Sequence, residues 1–124
     1  MSDPVNHPPH YTGHPSGVEC IEITRHLPFS LGNAVKYVWR AGEKDDLRTD
    51  LEKARWYLRD YAQTPTPISA RFWPVEKLIR VVNSELDLDR RTVFCLIALG
   101  IHSGSGDAWE AADSSIGQWL FAST

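Results

Sequence analysis

Charged and aromatic side chains recur at helical spacing along residues 31–58. Together they form one stripe on each of two consecutive predicted helices. The stripes consist of Asn33, Lys36, Tyr37 and Arg40 on the first helix, and Asp46, Asp50 and Lys53 on the second. Cationic groups bind phosphate, carboxylates hold Mg²⁺ beside substrate phosphates, and aromatic rings stack on bases. We therefore expect a nucleotide ligand, with Lys36, Arg40 and Asp50 as the catalytic groups.

Carboxylates that share a helix face are candidates for a magnesium site. Glu19 and Glu22 lie on one face of a predicted first helix, and Asp46 and Asp50 lie on one face of the third. Carboxylates from packed helices can hold Mg²⁺ together with a substrate. The alternative for each pair is a solvated charged face, and Glu19 also suits a capping box with Ser16.

The first fifteen residues form a segment rich in proline and histidine, which excludes a regular helix. We expect an extended arm that offers ligand contacts. The candidate contacts are Asn6, His7, His10, Tyr11 and His14. Their spacing matches no zinc signature, and a solvated arm is the alternative.

Composition narrows the classes of function. The chain has 124 residues and a formal net charge of −3, which argues against a general nucleic-acid binder. Its start has neither the basic nor the apolar region of a signal peptide, and no apolar run is long enough to span a membrane. Cys20 and Cys95 form no disulfide or metal-binding motif. We expect a cytoplasmic protein, with no membrane and no nucleic acid among its partners.

Helical periodicity predicts an all-α fold: an extended arm, an antiparallel helical hairpin and additional C-terminal helices. The predicted helices span 16–27, 31–41, 46–61, 74–82, 90–99 and 108–121. Ser30 is the expected N-cap of the second helix, Gly42 its C-terminal stop, and Gly100 the stop of the fifth. The sequence TPTP at 64–67 suggests a boundary between a domain at 1–62 and an extension at 63–124.

Four segments together carry a family resemblance: VNHPPHY (5–11), VECIEI (18–23), LGNAVKYVWRAGEKDD (31–46) and DLEKARWYL (50–58). They closely resemble the DUF3310 family of small phage proteins, which includes the nucleotide kinase of T7-like phages. The resemblance implies phosphoryl transfer without a P-loop, ATP as the phosphate donor, a homo-oligomer and a host bacterial cytoplasm. The residues that match the family's motifs, and that the resemblance therefore implies as site residues, are Asn6, His7, His10, Tyr11, Asn33, Lys36, Tyr37, Arg40, Asp46, Asp50 and Lys53.

Three functions fit these features. The first is Mg²⁺-dependent phosphoryl transfer to a (deoxy)nucleoside monophosphate, with pyrophosphate hydrolysis of a nucleotide as a related variant. The second is a protein that sequesters a signalling nucleotide without chemistry. The third is an inhibitor of a host protein, which predicts no thermal shift with any nucleotide.

Overall fold

The computed structural model describes residues 13–43, 46–68 and 73–123. This part of the chain contains six helices and no strand, which confirms the all-α prediction. The helices are α1 (Cys20–Thr24), α2 (Phe29–Arg40), α3 (Leu47–Gln63), α4 (Val75–Ser84), α5 (Leu88–Ser103) and α6 (Gly106–Ala122). The arm at 1–12 lies outside the described residues. None of the described helices combines the length and the apolarity needed to cross a bilayer.

Helices α2 and α3 form the predicted hairpin. Gly42 follows α2 with φ +81°, a left-handed conformation that glycine adopts without strain, and it ends the helix as expected. Asp46 is the N-cap of α3 and accepts a hydrogen bond from the Arg48 amide. The prediction that Ser30 is the N-cap of α2 was wrong, because this helix begins at Phe29 and Pro28 is its N-cap. Ser30 instead donates from Oγ to the Asp60 carboxylate of α3.

The predicted start of α1 at Ser16 was also wrong. Gly17 has φ +78°, so the chain turns there and the helix begins only at Cys20. Ser16 Oγ accepts from the Val18 amide within this turn. The capping box exists one turn later, where Glu19 is the N-cap and its amide donates to Glu22.

One apolar core joins the helices on both sides of residue 62. Trp39 of α2 packs on Phe94 of α5 with ring centroids 5.6 Å apart. Tyr61 of α3 meets Trp109 of α6 edge to face at 5.3 Å. Burying one such large side chain contributes about 1.5–3 kcal/mol. The division into 1–62 and 63–124 stays a prediction, but the two segments share this core.

Gly100 does not end a helix, contrary to the prediction. It lies within α5, and a Cβ atom there would come within 2.7 Å of the Trp109 ring. The helix ends at Gly104, which has φ +68°. Position 100 therefore needs glycine for the close approach of α6, while the left-handed turn comes four residues later.

The turn between α2 and α3 is also held by the C-terminal half of the chain. Arg90 of α5 donates from its guanidinium to the carbonyls of Val38 (3.0 Å) and Ala41 (2.7 Å). The last carbonyls of a helix lack partners within that helix. Arg90 supplies two such partners and stabilises the end of α2 that carries the predicted site.

Candidate functional site

Three predicted cationic side chains surround the ring of Tyr37. Lys36 Nζ and Arg40 Cζ both lie 4.8 Å from the ring centroid, and Lys53 Nζ lies 5.4 Å from it. Lys36 and Arg40 come from α2 and Lys53 comes from α3, so the hairpin brings together two stripes that are separate in sequence. We call Lys36, Tyr37, Arg40 and Lys53 the Tyr37 cluster. Each cation gains electrostatic stabilisation from the electron-rich face of the ring.

Further aromatic rings extend this face of the hairpin. Tyr57 of α3 stacks on Tyr37 with centroids 5.8 Å apart and an interplanar angle of 9°. Trp56 and Phe29 both meet Tyr57 edge to face. Trp56 and Phe29 are 64% and 78% exposed, so each offers a face to a planar ligand. Sequence reasoning missed Phe29, Trp56 and Tyr57 as parts of the site.

Arg40 and Asp50 form a buried ion pair behind the cluster. Arg40 Nε donates to Asp50 Oδ1 at 3.2 Å, and the Asp50 side chain has no solvent exposure. Its other oxygen, Oδ2, has no hydrogen-bond partner among the described residues. Asp50 is thus positioned to hold the Arg40 guanidinium against Tyr37. A direct contact between Asp50 and a ligand would require the structure to open.

Asn33 lies one turn before Tyr37. Its Nδ2 donates to the Phe29 carbonyl at 3.0 Å, and the residue lines a surface groove. That groove has a volume of about 250 Å³ between α1 and α2. It is lined by Thr24, Leu27, Pro28, Phe29, Gly32, Asn33 and Lys36. The groove therefore adjoins the Tyr37 cluster through Lys36.

The predicted metal ligands make other contacts. Glu22 accepts from Lys77 Nζ at 2.8 Å and from the Glu19 amide at 2.6 Å, and these two hydrogen bonds lower the pKa of Glu22. Glu19 is a helix N-cap, and so is Asp46. Asp50 pairs with Arg40.

These carboxylates do not fit a magnesium ion as the structure arranges them. No group of three or more histidine, cysteine, aspartate or glutamate side chains in the described ranges could hold a metal. A Mg²⁺ site needs several oxygen ligands in near-octahedral geometry. The magnesium assignment to Glu19, Glu22, Asp46 and Asp50 therefore gains no support from their geometry.

The predicted contacts of the arm, Asn6, His7, His10 and Tyr11, lie outside the described residues. His14 is described: its side chain is only 7% exposed, and it lines a groove of about 270 Å³ beside Trp39 and Glu85. Its Nε2 lies 3.2 Å from Glu85 Oε1, and its Nδ1 accepts from the Ser16 amide. The ring therefore carries its proton on Nε2 and donates it to Glu85. No local pattern predicts this contact, because Glu85 is 71 residues away.

A wider groove than the one beside Asn33 adjoins the aromatic face of the hairpin through Trp56. It has a volume of about 700 Å³ and lies between α3 and α6. Its lining residues are Arg48, Glu52, Arg55, Trp56, Arg59, Asp60, Gln63, Leu120 and Phe121. Sequence reasoning missed this groove, because its two walls are more than 50 residues apart in the chain.

The family model of DUF3310, described as a protein family of unknown function, matches residues 5–59. Residues 5–59 belong to the DUF3310 family. All members of the Tyr37 cluster lie within this DUF3310 region, whereas α4, α5 and α6 lie beyond it. No curated protein and no solved structure matches the chain. The match confirms the predicted resemblance over residues 5–59, and no activity is assigned to the family.

Proposed function

We propose that the chain binds a nucleotide at the Tyr37 cluster. The supporting observation is that the ammonium groups of Lys36 and Lys53 both lie within 5.4 Å of the Tyr37 ring centroid. Within the described ranges neither lysine is paired with a carboxylate, whereas Arg40 is paired with Asp50. Positive charges gathered around one ring raise the local positive potential, which favours a bound phosphate.

The groove beside Lys36 suits the other half of such a ligand. Phosphates bound between Lys36 and Lys53 place the sugar and base toward the groove between α1 and α2. There Phe29 offers an exposed ring for stacking, and the Asn33 amide can hydrogen-bond to the edge of a base. Stacking and phosphate neutralisation together distinguish a nucleotide from inorganic phosphate.

Binding is better supported than a chemical step. A catalytic role for Asp50 would require an accessible oxygen, and this side chain is fully buried. Phosphoryl transfer depends on positioning and on charge neutralisation, for which Lys36, Lys53 and Arg40 supply the cations. Transfer from ATP to a nucleoside monophosphate stays a prediction that rests on the family resemblance.

The test measures binding of nucleoside mono-, di- and triphosphates, with and without Mg²⁺. A thermal-shift screen selects the best ligand, and isothermal titration calorimetry then measures its affinity. The double variant Lys36→Ala/Lys53→Ala should bind the best ligand more than about 100-fold more weakly, since each of the two lost hydrogen bonds to a charged group contributes about 1.5–3 kcal/mol. Arg80→Ala removes an exposed cation from α4 and is the matched control. It should bind as the unsubstituted protein does.

Chromatography of the same mixtures separates binding from catalysis. A nucleotide recovered unchanged after heat denaturation indicates sequestration, whereas new mono- or diphosphates indicate an enzyme. If no nucleotide in the panel produces heat or a thermal shift, the proposal is wrong and the host-inhibitor hypothesis gains weight. Equal weakening by Arg80→Ala would also contradict it, because binding would then reflect overall charge.

A further inference from the structure

Two grooves flank the aromatic rings of the hairpin, and each is lined by an exposed ring. Phe29 lines the groove of about 250 Å³ between α1 and α2, and Trp56 lines the groove of about 700 Å³ between α3 and α6. Both rings meet the same Tyr57 ring edge to face, with centroids 6.2 Å and 5.1 Å from it. A mononucleotide that uses the first groove leaves the Trp56 ring uncovered.

The two helices of the hairpin carry the same pair of chemical groups. Lys36 lies two turns after Phe29 on α2, and Trp56 lies one turn after Lys53 on α3. Residues at these spacings share a helix face. Each helix therefore combines an exposed ring with a lysine that pairs with no carboxylate in the described ranges. The two lysines meet at the Tyr37 ring, so the two exposed rings lie on either side of a shared cationic centre.

The charge of the α3–α6 groove suits an uncharged base better than a phosphate. The arginines that line it pair with Glu52 and Asp113 at 2.9–3.1 Å. Because these carboxylates neutralise the arginines, the groove offers a phosphate little net attraction. A base can still stack on the exposed Trp56 ring, since stacking on an aromatic side chain depends little on the identity of the base.

We propose that the ligand of this site contains two linked nucleotides, an inference that rests on the nucleotide binding proposed above. One base stacks on Phe29 in the α1–α2 groove, and the other stacks on Trp56 in the α3–α6 groove. The phosphate that links them lies between Lys36 and Lys53. The formal net charge of −3 disfavours a long polyanion, so the ligand is a short molecule such as a dinucleotide.

Isothermal titration calorimetry with 5′-phosphorylated deoxydinucleotides tests this inference. Each of the four dinucleotides with two identical bases is compared with its two abasic analogues, which keep both phosphates but lack one base. Loss of either base should weaken binding at least about fivefold, as loss of one stacking contact does. The analogues carry the same charge as the dinucleotide, so the difference in affinity reports the missing base alone.

Variants of the two exposed rings assign the bases to the grooves. Trp56→Ala should weaken dinucleotide binding at least about fivefold and leave mononucleotide binding unchanged, whereas Trp56→Phe should retain most of the affinity. Phe29→Ala should weaken the binding of both ligands. Leu88→Ala shortens an exposed side chain outside both grooves and should bind both ligands as the unsubstituted chain does. Circular dichroism confirms that each variant is folded.

The outcomes separate this inference from the proposed function. If mononucleotides bind but dinucleotides bind no more tightly than their abasic analogues, the two-nucleotide ligand is wrong and the proposed function stands. A Trp56→Ala variant that binds dinucleotides with unchanged affinity overturns the inference as well. If neither mononucleotides nor dinucleotides bind, both proposals are wrong. A ten-nucleotide strand that binds more tightly than the dinucleotide would contradict the short ligand.

Discussion

Arg40 Nε donates to Asp50 Oδ1 across 3.2 Å in a part of the hairpin where Asp50 has no contact with solvent. The pair joins the end of α2 to the first turns of α3, where a carboxylate also gains from the positive end of the helix dipole. Asp50 Oδ2 has no hydrogen-bond partner among the described residues. The arrangement explains how a residue predicted to be catalytic can instead determine where the Arg40 guanidinium lies.

The first prediction concerns this pair. Asp50→Ala should destabilise the protein by about 3–5 kcal/mol, because it removes the buried carboxylate that accepts from Arg40 Nε. Arg40→Met/Asp50→Leu should restore much of that stability, since neither side chain then carries a charge. Urea denaturation measures both. Glu52→Ala breaks the exposed pair with Arg48 and should cost less than about 1 kcal/mol. Equal losses in Asp50→Ala and Glu52→Ala would contradict the buried-pair account.

The contact between Gly100 and Trp109 leads to the second prediction. Gly100→Ala places a methyl group within 2.7 Å of the Trp109 ring, which is buried and has little room to move. Overpacking of this kind costs about 1–3 kcal/mol. Gly106→Ala is the control, because no atom lies within 4 Å of its added Cβ. Thermal denaturation should show a lower melting temperature for Gly100→Ala alone, and an unchanged value would mean that α6 can shift freely.

The third prediction concerns the acid stability of the contact between α3 and α6. Asp113 accepts from Arg55 at 2.9 Å and from Arg59 at 3.1 Å. Partial burial alone would raise the pKa of Asp113, but the hydrogen bonds from these two arginines outweigh it and hold the pKa below its ordinary value of 3.8. The ionised carboxylate therefore stabilises the fold above pH 3.8, and this contribution is lost as pH falls through the lower folded-state pKa.

Asp113→Asn should consequently be less stable than the unsubstituted protein at neutral pH, and the difference should shrink as pH falls below 3.8. Urea titrations between neutral and strongly acidic pH measure this difference. Glu110→Gln changes an exposed acid in the same helix and is the matched control. A difference that stays constant across the acid range would show that the ionised Asp113 contributes no stability.

The fourth prediction concerns the two cysteines. Burial raises the pKa of the Cys20 thiol to about 12, so almost no thiolate forms at neutral pH. Cys95, in contrast, is exposed on α5. Iodoacetamide should modify Cys95 quickly and Cys20 only after denaturation, as measured by mass spectrometry of the peptides. Rapid labelling of Cys20 in the folded protein would show that α1 opens readily.

The hairpin and the Tyr37 cluster were largely predictable from the sequence. Lys36, Tyr37 and Arg40 lie within one and a half turns of one helix, so helical spacing alone places them together. The turn after α2 was predictable from Gly42, because the left-handed backbone conformation at that position favours glycine. These features depend on residues close in sequence, where periodicity and capping rules are informative.

Features that depend on distant contacts could not be predicted in the same way. Gly100 was taken for a helix stop because nothing near it in sequence shows that the Trp109 ring packs on it. The Asp113 contacts join residues 54 and 58 positions apart. The full burial of Asp50 is another such feature, because the chemistry of this residue can be read from the sequence but its burial cannot. Burial depends on how helices pack, and short patterns do not encode that.

The two hydrogen bonds from Arg90 to the carbonyls of Val38 and Ala41 affect how the chain can be dissected experimentally. The end of α2 lies inside the DUF3310 region, but its hydrogen-bond donor comes from α5, outside that region. A fragment cut after residue 62 would lose this donor and would expose the face of Trp39 that packs on Phe94. Expression trials that aim at a minimal version of this protein should therefore retain the chain through α6.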